Sequence, residues 1–268
     1  MDTAPRVRDA TLMFDLTPMR KDRALLTTVT GEPFQPVRLY YTTPGKPFVT
    51  RIFSQLRCMN EDSEGGRWVW LYTAEAKPLT FGRPYAEVPA EVHPVIIGAF
   101  RFPKKGGMTL EVRSFDRAIA AAKFFGPLFG PRVVARRVRV LNRWFDAKEL
   151  VGGPEQLDRH LDHNVTEIDP RVTEAKMEQY LAGAKTQAEK QRALEQYFED
   201  KRLERRDVPL VEDFPLAPEE ETPDFMHLAM TLRLRSLRAY EHWNGNTEVI
   251  LQDIIYRLAE QGAFNPPG

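Results

Sequence analysis

Hydrophobic and polar positions change period several times along the 268-residue chain. In VRLYYTT (residues 37–43) β-forming residues run up to Pro44-Gly45, which predicts a strand closed by a turn. The next stretch, PFVTRIFSQLRCM, places Phe48, Val49, Ile52, Phe53 and Leu56 at helical spacing, with Pro47 in the first turn; it predicts a helix whose apolar face includes Cys58. After the polar turn NEDSEGG, RWVWLYT alternates, with Trp68, Trp70 and Tyr72 on one face and Val69 and Leu71 on the other. Residues 74–93 contain three prolines and read as loop. VIIGAFRF is almost continuously apolar, the signature of a central strand, and PKKGG turns it into MTLEVR. Ser114 is placed to cap a helix, SFDRAIAAAKFFG, ending at Gly126-Pro127, and Arg132 to Leu141 follows as a strand. Nearer the start, residues 10–15 and 24–30 predict two short strands after a flexible beginning at residues 1–9.

The pattern changes after Phe145. Gly152-Gly153-Pro154 is a break, and PEQLDRHLDHN a short helix candidate. Asp169-Pro170 is a helix entry, and Thr186 with Glu189 forms a capping box for a second helix with Leu194, Tyr197 and Phe198 on its apolar face. Residues 207–224, DVPLVEDFPLAPEEETPD, hold seven acids, no bases and four prolines, which predicts an acidic loop and excludes a regular helix or central strand. Two helices joined by NGN, about residues 224–243 and 247–261, close the chain. The expected class is α+β: an N-terminal mixed sheet with two helices at residues 10–145, followed by an α-helical region at 146–268. The order β-α-β-β-α-β within the first part, with one extra strand, is that of ferredoxin-like domains.

Lys plus Arg and Asp plus Glu are both 38, so the formal net charge is zero, which argues against a chain held on nucleic acid by global charge. The balance is uneven. Between Arg101 and Phe145 eleven bases face two acids, while the compensating acids concentrate in residues 207–224. The centre of the basic region is RVVARRVRVLNR (residues 132–143). As a strand it alternates, with Val134, Val138 and Val140 on one face, Arg132 and Arg136 at its near end, and Arg137, Arg139 and Arg143, together with Val133, Ala135 and Leu141, on the other. An unpaired guanidinium is costly to bury, so that second face must meet water, carboxylates or phosphates.

Three uses follow: a solvated face, a latch closed by the acidic segment or another subunit, and phosphate binding. Candidate partner- or phosphate-binding residues are Arg132, Arg136, Arg137, Arg139, Arg143, Lys104 and Lys105. Trp68, Trp70 and Tyr72 are candidates for stacking nucleic-acid bases, though such a stripe also suits a core. The pattern of RNA-recognition modules is absent. The expected role is a non-enzymatic binding or assembly protein engaging an acidic protein surface, itself, or its own acidic segment. A nucleic-acid binder using the same arginines is the alternative.

For catalysis, DRHLDHN is the most suggestive segment. Its D-x-H-x-D-H spacing resembles the metal-binding H-x-H-x-D-H pattern of metallo-hydrolases, with the first His replaced by Asp. That resemblance implies His160, His163, Asp158 and Asp162 as metal ligands. No nucleophile elbow, phosphate loop or H-E-x-x-H occurs, and no cofactor is expected. The single cysteine, Cys58, precludes an internal disulfide and reads as buried and inert. The beginning of the chain lacks a signal-peptide core and no long apolar run is present. A cytoplasmic location with no membrane partner is therefore expected.

Overall fold

A computed structural model of the chain describes residues 22–149, 159–204, 207–216 and 225–261. The expected strand at residues 10–15, the flexible start, and residues 154–158 of the PEQLDRHLDHN helix lie outside them. The described residues form an α+β protein. Its strands are β1 (Val37–Thr42), β2 (Met59–Asp62), β3 (Arg67–Leu71), β4 (Ile96–Arg101), β5 (Met108–Val112), β6 (Val134–Leu141), β7 (Val165–Glu167) and β8 (Val211–Pro215). Its helices are α1 (Lys46–Phe53), α2 (Phe115–Phe129), α3 (Pro170–Leu181), α4 (Gln187–Leu203), α5 (Phe225–Trp243) and α6 (Leu251–Glu260). All eight strands join one sheet in the order β2-β3-β4-β5-β1-β6-β8-β7, antiparallel except for the β7–β8 pair. This sheet is wider than the predicted order of elements implies, because β2 forms a hairpin with β3 and two strands lie beyond β6.

One face of the sheet carries the main core. Register puts Val37, Leu39 and Tyr41 of β1 beside Met108, Leu110 and Val112 of β5 and beside Ala135, Val138 and Val140 of β6. α1, α2 and α5 cover this face, with Phe53, Phe125 and Phe129 packed among Trp68, Trp70 and Phe100. Ser114 caps α2 as its position implies, its hydroxyl accepting from the Arg117 amide at 3.1 Å.

Several expectations change. α2 runs through Pro127 to Phe129, because Pro has helical φ and forfeits only one amide bond; Gly130, at φ 57°, ends it. α1 stops at Phe53, so Cys58 lies beyond the helix, next to β2, where it is buried. A bulge in the β1–β6 register, between Tyr40 paired with Arg137 and Tyr41 paired with Ala135, leaves Arg136 as the extra residue. Strict alternation therefore breaks there. Ala135 shares the core face with Val138, and Val133 is buried, not on the arginine face.

The acidic segment is the largest departure. Val211–Pro215 is a strand inside the sheet, hydrogen-bonded to β6 on one side and β7 on the other. Prolines flank the paired stretch or sit at its end, so the ladder donors survive, and its Val211 and Phe214 are buried. What the composition could not show is that its carboxylates meet cations in the fold.

Candidate functional site

The second sheet face is polar over much of its width. Register brings Arg38 and Tyr40 of β1, Glu111 of β5, Arg137 and Arg139 of β6 and Asp213 of β8 to the same side. The Asp213 side chain is 0% exposed, and its two oxygens are shared between two arginines. Oδ1 accepts from Arg137 Nε at 3.1 Å, and Oδ2 accepts from Arg139 Nε and Nη2 at 2.9 and 2.8 Å. Arg139 Nη1 continues to Asp162 Oδ1 at 2.6 Å, and Asp162 also receives Arg38 at 2.7 Å. Arg38 Nε then donates to Glu111 at 2.8 Å, and Glu111 meets Arg101 at 3.6 Å. Positive and negative groups thus alternate across β8, β6, β1, β5 and β4, with the Tyr40 ring below Arg137 and Arg139 at 5.8 and 5.6 Å. Burial works to raise the Asp162 carboxyl, but Arg38 and Arg139 outweigh it and hold the group below the usual carboxylate range.

Near the other end of this face, Leu141 packs with Phe34, Phe145, Leu161 and Val211 in a second small core. It fastens the segment that carries Asp162 over the sheet.

The other basic candidates lie elsewhere. Arg143 pairs with Glu149 and sits 4.2 Å over the Phe145 ring. Arg136 is half-buried, and its carbonyl accepts from the Leu216 amide at 2.9 Å. Lys104 and Lys105 are exposed on the β4–β5 turn, and exposed Arg132 packs over Phe48 just before β6. Register sets that turn, the end of β1 and the start of β6 at one end of the sheet. Lys104, Lys105 and Arg132 therefore form a basic end.

Trp68, Trp70 and Tyr72 are core residues, at 7%, 0% and 0% exposure, so no ring face is open to a nucleic-acid base. Phe53, Phe124, Phe125, Phe81 and Tyr85 occupy the positions around them. The metal candidates do not converge. His160 and His163 are exposed, Asp162 is engaged by two arginines, and Asp158 lies outside the described residues. Among the described residues no three His, Cys, Asp or Glu side chains gather to hold a metal ion.

Arg38, Tyr40, Glu111 and Glu167, whose Oε1 lies 3.5 Å from Arg137 Nη2, were not singled out from the sequence. Alternation in VRLYYTT places Arg38 and Tyr40 on one face, which was the available signal. A groove of about 1040 Å3 was also unanticipated; it runs beside α3, α4 and α6, with half-exposed Phe198, Val172 and Ile255 in its wall.

No family model matches the chain, and neither a curated protein nor a solved structure is similar to it. No helix among the described residues is long and apolar enough to cross a membrane.

Proposed function

We propose that this protein is a non-enzymatic binding or assembly protein whose cationic strand works at two levels. Inside the molecule, Arg137 and Arg139 hold the chain's own acidic segment. At the end of the sheet, Lys104, Lys105 and Arg132 face an acidic protein surface. The observation that carries this reading is Asp213, which sits fully buried between two arginines from a neighbouring strand. Charge that is consumed internally is not on offer to a partner, which leaves, of the basic candidates among the described residues, those at the end of the sheet. Lys104 and Lys105 make no ion pair among the described residues.

The test is fluorescence anisotropy with two labelled probes, an oligoglutamate peptide and single-stranded oligo(dT), over a salt series. Wild type is expected to bind the acidic peptide weakly, and the triple variant K104S/K105S/R132S to lose it. Oligo(dT) bound far more tightly, with affinity falling about 0.7 log units per tenfold salt for each phosphate contacted, would replace this reading with the nucleic-acid one. Retention of neither probe removes both.

A further inference from the structure

Between the segment before β1, the first turn of α2 and the middle of α5 lies a polar cavity of about 40 Å3. Gln35, Asp116 and Ser236 bring polar groups to its wall, and Pro33, Ile119 and Leu232 bring carbon. At roughly 10–15 Å3 for each water-sized group, it has room for about three.

Two of these side chains lack what they need. Gln35 is 1% exposed, and its Oε1 accepts from Trp144 Nε1 at 3.1 Å and from Ser236 Oγ at 3.4 Å. An indole N–H can only donate, so the atom it meets is the amide oxygen and the nitrogen is the remaining end. That nitrogen, Nε2, is buried and has no hydrogen-bond partner among the described residues. A buried donor left unmade is a standing cost. Asp116, the second residue of α2, is half-buried and forms no hydrogen bond or ion pair among the described residues. Burial raises its carboxyl, the Arg233 charge opposes the rise and Glu32 adds to it, so the net shift is upward. One cavity thus holds a donor without an acceptor and an acceptor without a donor.

We infer that the cavity binds the carboxamide head of a small neutral molecule, a primary amide. Its carbonyl oxygen accepts from Gln35 Nε2, and its NH2 donates to the Asp116 carboxylate. Such a head has an oxygen, a nitrogen and the carbon between them, which matches the room, and the apolar wall suits the stem behind it. A single water carries both functions but occupies about a third of the space. The start of α2 attracts anions, yet Asp116 puts a negative charge inside the cavity, and Arg233, also in the wall, is already engaged. A carboxylate or phosphate is therefore disfavoured. An ammonium group has donors only and leaves Gln35 Nε2 unmet. The site is separate from Lys104, Lys105 and Arg132 and stands or falls independently of the binding role proposed for them.

The experiment titrates the full chain with acetamide, acetone and acetate, three probes of one shape, and follows the Gln35 side-chain amide in 1H–15N spectra. Acetamide should bind with an affinity on the order of millimolar, as suits so few atoms, and shift the Gln35 signals. It should bind roughly tenfold more tightly than acetone, which offers the acceptor without the donor, the ratio expected for one hydrogen bond. Acetate should bind more weakly than either. Asp116 makes no hydrogen bond that Asp116→Ala could break, so this variant should fold and bring acetamide down to the level of acetone. Ser236→Met, which fills the cavity, should abolish both; if it does not fold, the Asp116→Ala comparison decides alone. No shift of the Gln35 amide with acetamide, the sign of an ordered water only, overturns the proposal. So do equal affinities for acetamide and acetone in wild type, tighter binding of acetate, or an acetamide preference that survives Asp116→Ala.

Discussion

Glu32 shows what one buried residue contributes. Its side chain is 1% exposed, and Oε1 accepts from Arg117 Nε at 2.5 Å, Thr30 at 2.9 Å and Ser114 at 3.2 Å. Arg117, itself 2% exposed, also donates to Thr30 at 2.7 Å and to the Ile96 carbonyl at 3.3 Å. The pair ties the segment before β1 to the start of α2. Burial works to raise the Glu32 carboxyl, but Arg117 and Thr30 prevail and hold it below its ordinary value. A carboxyl lowered on folding stabilises above its unfolded pKa, and that contribution fades as pH drops through the folded value. Glu32→Gln should therefore cost about 3–5 kcal/mol at neutral pH, the loss expected when one partner of a buried pair is removed. The gap between the two thermal melting curves should narrow as the solution is acidified below about pH 4. A gap that is constant with pH would refute the charge assignment. None of this pair was legible in the sequence, because Glu32 lies in an irregular stretch and Arg117 sits on a helix face that periodicity reads as apolar. The buried thiol was legible: Cys58 is enclosed, and burial together with Glu75 pushes it up to about 12.

At the scale of elements, local signals identified most helices and strands. Asp169 and Pro170 open α3, and Thr186 and Glu189 cap α4 reciprocally, at 3.2 and 2.9 Å. These devices act within one turn, so the sequence contains all the information they need. Phe198 is the instructive exception. Its neighbour Tyr197 is buried and meets Tyr180 edge-on at 5.3 Å, whereas Phe198 is 53% exposed in the groove, because α3 and α4 pack mainly against each other. A helix pair that buries little of the sheet should be dispensable for it. Replacing residues 171–202 with a short Gly/Ser linker is expected to leave the melting temperature of the remaining chain within a few degrees of wild type, since a change of about 1 kcal/mol shifts a chain of this size by only ~2–4 °C. A collapse of near-UV circular dichroism in that variant would show that the pair belongs to the core.

Across the whole molecule, charge and topology were only half readable. The sequence shows a basic region and an acidic segment of matching size, and the latch is one arrangement that satisfies both. It does not show that the acidic segment enters the sheet, since composition penalises a strand of Glu, Asp and Pro without knowing that arginines wait beside it. The alternating ladder across five strands makes a graded prediction. Asp213→Ala leaves two guanidiniums facing a dry gap and should cost about 2–4 kcal/mol, toward the range for a broken buried pair. Arg137→Ala removes a half-exposed partner while Arg139 still engages Asp213, so it should cost no more than about 1 kcal/mol. Urea titrations that rank the two variants in the reverse order would place the weight of the ladder elsewhere.

β8 has one further consequence, which concerns time. Arg137 and Asp213 are 76 residues apart in the chain. A ribosome completes β1 through β6 well before it makes the strand that covers the free edge of β6. During that interval the nascent sheet presents an unpaired backbone edge, the kind that invites pairing between chains. A row of like charges on that strand opposes pairing between copies, and it is neutralised in steps, as Asp162, Glu167 and then Asp213 emerge. The same guanidiniums that cement the finished sheet guard the unfinished one.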